Sequence, residues 1–127
     1  MCKNEKTKVL IIEDDSYISD MYKIKFEASG FEVIIASDGV AGLKVLEKNR
    51  PDIILLDIIM PKMDGFSVLK AIKDNLTLSK IPVMLLTNLG QRENIEKGLK
   101  LGAASYVIKA HFTPSEIIKK VNEMLKK

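Results

Sequence analysis

The chain has 127 residues, of which 46% are hydrophobic and 29% are charged, and this balance excludes a disordered or fibrous protein. The net charge is only +3, the lysines are scattered and tryptophan is absent, so we expect no nucleic-acid partner. The single cysteine, Cys2, excludes a disulfide scaffold and indicates a reducing compartment. Because no apolar run reaches membrane-helix length and the N-terminus has no signal-like stretch, a cytoplasmic protein without a membrane partner is predicted.

Short apolar runs alternate with helical patterns along the chain. Strands are predicted at 8–12, 32–35, 53–56, 81–86 and 105–108. Five helices are predicted from apolar residues at helical spacing: Ile18, Met21, Tyr22 and Phe26; Val40, Leu43 and Leu46; Phe66, Leu69 and Ile72; Ile95 and Leu99; and Ile117, Ile118, Val121, Met124 and Leu125. Thr113 and Glu116 predict a capping box at the start of the last helix.

The order of these elements predicts the fold. Repeated strand–helix units with nearly continuous apolar strands are typical of a parallel sheet that is buried on both faces. We therefore expect an α/β protein with a doubly wound, five-stranded parallel sheet of the (βα)5, flavodoxin-like kind and the strand order 2-1-3-4-5. No linker or repeat interrupts the pattern, so residues 1–127 are expected to form a single domain without an output domain.

Polar side chains follow four of the predicted strands. Glu13 and Asp14 follow the first, Asp57 the third, Thr87 the fourth and Lys109 the fifth. These strands would lie side by side, so their carboxyl ends bring the five side chains into one cleft. Neighbouring carboxylates raise one another's pKa and need positive charge, of which Lys109 supplies one unit and a divalent cation the rest. Oxygen ligands favour Mg²⁺ or Mn²⁺ over zinc.

A simpler interpretation is that these acids are solvated loop residues or helix caps. Asp15 or Ser16 fits this interpretation, because either can cap the first helix. It is weaker for the other acids, which share one sheet edge with a lysine and a hydroxyl. The turn after the first strand is acidic and not glycine-rich, which argues against a dinucleotide or ATP site.

Four stretches of the chain carry a specific resemblance. The stretches IEDD at 12–15, LDIIMPKMDG at 56–65, LTN at 86–88 and YVIK at 106–109 resemble the receiver domain of two-component response regulators, of the stand-alone chemotaxis type. The resemblance implies a phosphorylation-activated signalling switch in a phosphorelay. Asp57 would accept a phosphoryl group from a sensor histidine kinase or phosphotransfer protein, and the surface of the fourth helix and fifth strand would then bind an unknown downstream protein target.

The resemblance also implies a metal site. Asp14 and Asp57 would bind Mg²⁺ directly, Glu13 would hold it mainly through water, and the backbone carbonyl of Ile59 would complete the protein ligands. The cation and the backbone N–H groups of the cleft would neutralise the oxygen charge that phosphoryl transfer develops.

Three further roles follow from the same resemblance. Thr87 and Lys109 would each contact a phosphoryl oxygen, and Tyr106 would be an aromatic switch that turns inward as Thr87 is drawn toward the phosphoryl group. The chain would catalyse only its own phosphorylation, with Asp57 as nucleophile, and a slow dephosphorylation. It would therefore not be an enzyme that turns over a substrate.

The sequence departs from the family pattern beside Lys109. Receivers usually have proline after this lysine, often in a cis peptide, whereas Ala110 stands here, and we expect a trans bond. His111, the only histidine, is interpreted as a loop residue. Ile59 cannot orient an attacking water, and Asn88 covers the site more than a smaller residue would, so a comparatively long-lived phosphoryl group is predicted.

Two other functions are compatible with a similar sheet. A Mg²⁺-dependent phosphohydrolase on a similar sheet also uses a nucleophilic aspartate, but it needs a second aspartate two residues later, and Ile59 occupies that position. The second alternative function is that of a degenerate receiver that serves only for docking. The complete set of acidic, hydroxyl and lysine side chains argues against it.

Overall fold

A five-stranded parallel sheet organises the computed structural model, which describes residues 6–126. The strands are β1 (Lys8–Ile12), β2 (Glu32–Ala36), β3 (Ile53–Leu56), β4 (Val83–Thr87) and β5 (Ser105–Ile108). The helices are α1 (Ser16–Ala28), α2 (Gly39–Lys48), α3 (Gly65–Asp74), α4 (Arg92–Lys100) and α5 (Pro114–Leu125), and short 3₁₀ turns cover Leu78–Lys80 and Lys109–His111. The observed strand order β2-β1-β3-β4-β5 confirms the predicted fold class. Cys2 lies outside the described residues.

The sheet separates two apolar layers because alternate side chains of each strand point to opposite faces. One layer contains Leu10, Ile12, Ile54 and Leu56 from β1 and β3, together with side chains of α2 and α3. The other contains Val9, Ile11, Ile53 and Leu55, together with side chains of α1 and α5. Burial on both faces explains why the central strands are apolar without interruption.

Side-chain caps fix where several helices begin. The Asp15 carboxylate accepts the backbone N–H groups of Tyr17 and Ile18, which starts α1 directly after the acidic turn. The predicted capping box of α5 is present, since Thr113 Oγ1 accepts the N–H of Glu116 and the Glu116 carboxylate accepts the N–H of Thr113. These caps set the helix ends that border the cleft.

The fourth strand differs from its predicted bounds of 81–86. It runs from Val83 to Thr87, because the N–H of Ile81 closes the preceding 3₁₀ turn on the carbonyl of Leu78 and Pro82 has no N–H for the ladder. Thr87 belongs to the strand and pairs with Ile108. Thr87 is therefore held by sheet hydrogen bonding and does not lie in the following loop.

Three residues that were predicted on apolar helix faces are exposed: Met21, Val40 and Leu99. On α4 the reason is Gly98, which is buried against β4 and where an added Cβ would lie 2.5 Å from Leu85 Cδ1. The helix thus packs through its glycine, and the adjacent Leu99 faces outward. Among residues 6–126, none of the helices has the length and apolar character to span a bilayer.

Candidate functional site

Three carboxylates meet at the carboxyl ends of β1 and β3. Oxygen atoms of Glu13, Asp14 and Asp57 lie within 4.8 Å of one another, and we call these residues the acidic cluster. Glu13 and Asp57 are buried, whereas Asp14 is exposed. Backbone hydrogen bonds of 3.0 Å, from Glu13 N–H to the Ala36 carbonyl and from Asp57 N–H to the Ile12 carbonyl, hold both positions at the sheet edge. The acidic cluster therefore has two buried carboxylates on backbone that the sheet holds in place, and one carboxylate that faces solvent.

Lys109 connects two members of the acidic cluster. Its ammonium nitrogen Nζ donates to Glu13 Oε1 at 2.5 Å and to Asp57 Oδ2 at 3.1 Å, and only 11% of its side chain is exposed. The structure thus brings the sequence-predicted acids and the lysine together. When the three carboxylates and the lysine are all ionised, the site has a net charge of about −2. One divalent cation would balance this charge.

The pKa values of the buried groups reflect this crowding. Burial raises the pKa of the Glu13 carboxyl, and the charge of Asp57 adds to the effect, although the hydrogen bonds from Lys109 and from the N–H of Asp15 oppose it. Burial alone would lower the pKa of Lys109, but the hydrogen bond to Glu13 and the charge of Asp57 outweigh burial, so its pKa is raised. The ammonium therefore stays charged while Glu13 resists ionisation. Three oxygen donors with excess negative charge fit a hard divalent cation.

The loop after β3 holds the Asp57 side chain in place. Asp57 Oδ1 accepts the N–H of Ile58 at 2.7 Å, and the carbonyl of Ile58 accepts the N–H of Gly65 at 2.8 Å. Asp64 caps α3 by accepting the N–H of Ser67. A Cβ atom added at Gly65 would lie 2.2 Å from the carbonyl oxygen of Asp57. Glycine is thus required where α3 begins against the backbone of the nucleophile candidate.

We expect Gly65→Ala to destabilise the protein by about 1–3 kcal/mol, because the new methyl group meets backbone atoms that cannot turn away. Urea unfolding followed by circular dichroism measures the change. Gly90→Ala is the matched control, because its Cβ would meet only Ile108 Cδ1 at an ordinary 3.6 Å. Equal stability of the two variants would contradict the proposed close approach.

Thr87 and Tyr106 are connected through the backbone of Leu89. The buried Thr87 Oγ1 accepts the N–H of Leu89 at 3.3 Å, and the Tyr106 hydroxyl donates to the carbonyl of Leu89 at 2.5 Å. The Tyr106 ring lies against Gly98, where a Cβ would be 3.1 Å from Tyr106 Cδ2. Burial raises the pKa of Tyr106, with a smaller contribution from the charge of Asp57. A displacement of the Thr87 hydroxyl would therefore act on Leu89, the residue whose carbonyl holds the Tyr106 hydroxyl.

One contact beside the site was not foreseen from the sequence. The Asn88 side-chain oxygen Oδ1 accepts the N–H of Ala110 at 2.9 Å. The signal for it was the alanine itself, because a proline at 110 would have no N–H to offer. The peptide between Lys109 and Ala110 is trans, as expected. Ile59, in the loop after β3, has a side chain that is 63% exposed.

Comparisons with known proteins identify the class of this fold and site. A family model described as the response regulator receiver domain matches residues 9–122. The DNA-binding dual master transcriptional regulator RpaA of Synechocystis is 37% identical over 120 residues, which are 94% of this chain and 49% of RpaA. The Francisella response regulator 1452 receiver domain is 36% identical with a TM-score of 0.87, over 94% of this chain and 97% of that chain. The Mn²⁺-bound form of response regulator Rcp1 is 30% identical with a TM-score of 0.80, over 93% and 91% of the two chains.

The chain belongs to the response regulator receiver domain family, which confirms the predicted family and its role as a signalling switch. Receiver domains of response regulators are signalling switches and not classical enzymes, and they bind a divalent metal at an acidic pocket that the acidic cluster fits. The chain spans about half the length of the curated relatives it matches, for example 46% and 50% of two proteins named ycf27.

Proposed function

We propose that Asp57 is the phosphoacceptor of this receiver domain and takes its phosphoryl group from a sensor histidine kinase or a phosphotransfer protein. The observation that carries the proposal is the ammonium of Lys109, which bridges Asp57 and Glu13 at the sheet edge beside Asp14. Phosphoryl transfer needs a nucleophile beside positive charge that can neutralise the phosphoryl oxygens. Here the Lys109 ammonium is one such charge, and the acidic cluster could hold a divalent cation as the other.

Mg²⁺, with Mn²⁺ as the alternative, is the proposed cation. Asp14 and Asp57 would hold it directly, Glu13 mainly through water, and the carbonyl of Ile59 would be the remaining protein ligand. Hard oxygen donors support this choice, and the similar protein Rcp1 is described in an Mn²⁺-bound form. When bound, the cation would offset the charge of the phosphoryl oxygens and of the carboxylates.

The chain's own groups define the transfer step. An Asp57 carboxylate oxygen attacks the phosphorus of the donor, and an O–P bond forms as the P–N bond to the donor's imidazole breaks. The electron pair of the broken bond leaves with the imidazole nitrogen. The hydrogen bond from the N–H of Ile58 to Asp57 Oδ1 orients the carboxylate, and Lys109 and the Thr87 hydroxyl would each hold a phosphoryl oxygen.

The readout follows from the shared backbone of Leu89. When Thr87 turns its hydroxyl toward the phosphoryl group, the bond between Thr87 Oγ1 and the N–H of Leu89 is lost. The carbonyl of the same residue holds the Tyr106 hydroxyl, so the ring position responds. We propose that the surface of α4 and β5 changes with it and binds the downstream protein target.

The stoichiometry of phosphorylation tests this proposal. Acetyl phosphate with Mg²⁺ should add one phosphoryl group per chain, measured by intact-mass spectrometry, and the reaction should then continue only at the slow rate of dephosphorylation. Sustained turnover of small phosphoesters would instead support the phosphohydrolase. Ile59, two residues after Asp57, is an exposed apolar side chain that cannot serve as its general acid or base.

The lifetime of the phosphoryl group gives a second test. We expect Ile59→Asn to speed dephosphorylation by several-fold to about tenfold, because an amide at this exposed position can orient an attacking water. Ile24→Asn on α1 is the matched control, because that isoleucine is also exposed, at 66%. Release of inorganic phosphate measures both, and equal rates would contradict a protective role of Ile59. Asn88 is the other side chain predicted to extend the lifetime.

A further inference from the structure

The pairing of β4 and β5 continues one step beyond the strands through a side chain. The last backbone pair of the two strands is Thr87 with Ile108, after which the chain enters the 3₁₀ turn that begins at Lys109. Beyond this last pair, the Asn88 side chain connects the two segments, because its Oδ1 accepts the N–H of Ala110 at 2.9 Å. The amide oxygen of Asn88 thus takes the place of a backbone carbonyl in the next rung of the ladder.

This contact joins the residues that directly follow Thr87 and Lys109, the two residues that the proposed function places on the phosphoryl group. The N–H of Ala110 belongs to the peptide that follows Lys109, and Asn88 directly follows Thr87. The Lys109 ammonium contacts Glu13 and Asp57 at the far end of its side chain, so its direction depends on the orientation of this peptide. A hydrogen bond at the peptide reduces the freedom of the backbone from which Lys109 extends.

We propose that Asn88 is a positioning residue, which holds the Lys109–Ala110 peptide and thereby fixes the Lys109 ammonium relative to the Thr87 hydroxyl. The inference rests on the proposed phosphoacceptor function of Asp57. The positioning role depends on Ala110, because this residue supplies the N–H that the Asn88 oxygen accepts. A proline at position 110 would have no N–H to donate. Asn88 and Ala110 then act as a pair.

Amide hydrogen exchange tests the contact itself, independently of any phosphorylation. In NMR spectra of the whole chain, Asn88→Ala should speed exchange of the Ala110 N–H by about threefold to tenfold, the loss expected for one hydrogen bond. Asn88→Asp keeps the acceptor oxygen and should retain protection. The matched control is Asn122→Ala, an exposed asparagine of α5, which should leave the Ala110 amide unchanged. Unchanged exchange in Asn88→Ala overturns the proposal.

A double-mutant cycle tests the effect on Lys109. Asn88→Ala should slow phosphorylation by acetyl phosphate at saturating Mg²⁺ by about threefold to tenfold in the wild-type chain. In the Ala110→Pro background the donor is absent, so the same substitution should leave the rate unchanged. An equal slowing in both backgrounds would mean that Asn88 acts directly at the phosphoryl group and would overturn the positioning role. Should the wild-type chain take up no phosphoryl group, the proposed function fails, whereas the exchange measurement still decides on the contact.

Discussion

Replacement of Asp57 by asparagine is expected to abolish phosphoryl uptake from acetyl phosphate. The amide keeps the size of the carboxylate and the acceptor for the N–H of Ile58, but it has no anionic oxygen to attack phosphorus. Intact-mass spectrometry after treatment with acetyl phosphate and Mg²⁺ gives the result directly. Lys109 also contacts Glu13. Among the described residues, however, only Asp57 combines a contact to Lys109 with a hydrogen bond from the N–H of the next residue, Ile58, so the loss should be complete.

Asp64→Asn is the matched control for this experiment. Asp64 lies in the same loop, and its side chain caps α3 by accepting the N–H of Ser67, a bond that asparagine also makes. The control removes one negative charge near the site and should still take up one phosphoryl group. A phosphoryl group that persists on Asp57→Asn would show that another residue is the acceptor.

Replacement of Lys109 by methionine is expected to lower the free energy of unfolding by about 3 kcal/mol at neutral pH without added cations. The substitution leaves the buried carboxylates of Glu13 and Asp57 without the ammonium that bridges them. Urea unfolding measures the change. Lys62→Met is the control, because the Lys62–Asp38 pair is longer, at 3.5 Å, and 68% of the lysine side chain is exposed, so little stability should be lost.

The effect of Lys109→Met should depend on pH. The raised pKa of Glu13 means that this group stabilises the fold when it is protonated, and that the contribution is lost as pH rises through its folded-state pKa. Without Lys109 the opposing hydrogen bond disappears, and the pKa of Glu13 should rise further. The raised pKa of Lys109 keeps the wild-type ammonium charged from acid to neutral pH. The stability difference should therefore be largest at neutral pH and shrink toward acid pH, and a difference independent of pH would contradict the electrostatic cause.

The fold was predictable because its signals are local and repeated. Each apolar run had strand length, each helix had its stripe, and parallel topology then placed Glu13, Asp57 and Lys109 at one edge without further information. Asp15 and Thr113 were recognisable as caps because capping depends on a few neighbouring residues. The convergence of the site was thus a consequence of the strand order.

The remaining features depend on close approaches that periodicity does not encode. The packing of α4 through Gly98 turns Leu99 outward, and only the distance to the Leu85 side chain reveals it. The start of β4 at Val83 depends on the N–H of Ile81, which a preceding turn already uses. The hydrogen bond from the Ala110 N–H to the Asn88 side chain joins segments that follow two different strands, so no residue spacing in the sequence predicts it.

Magnesium titration by calorimetry tests the central claim most directly. We expect the wild-type chain to bind one Mg²⁺ ion, and Asp14→Asn to weaken the affinity by about tenfold to a hundredfold, because one of three converging carboxylates is lost. Asp15→Asn removes the same charge one residue away and keeps the helix cap, so it should bind as the wild type does. Absence of magnesium binding to the wild-type chain, or equal affinity in Asp14→Asn and Asp15→Asn, would contradict a cation site in the acidic cluster.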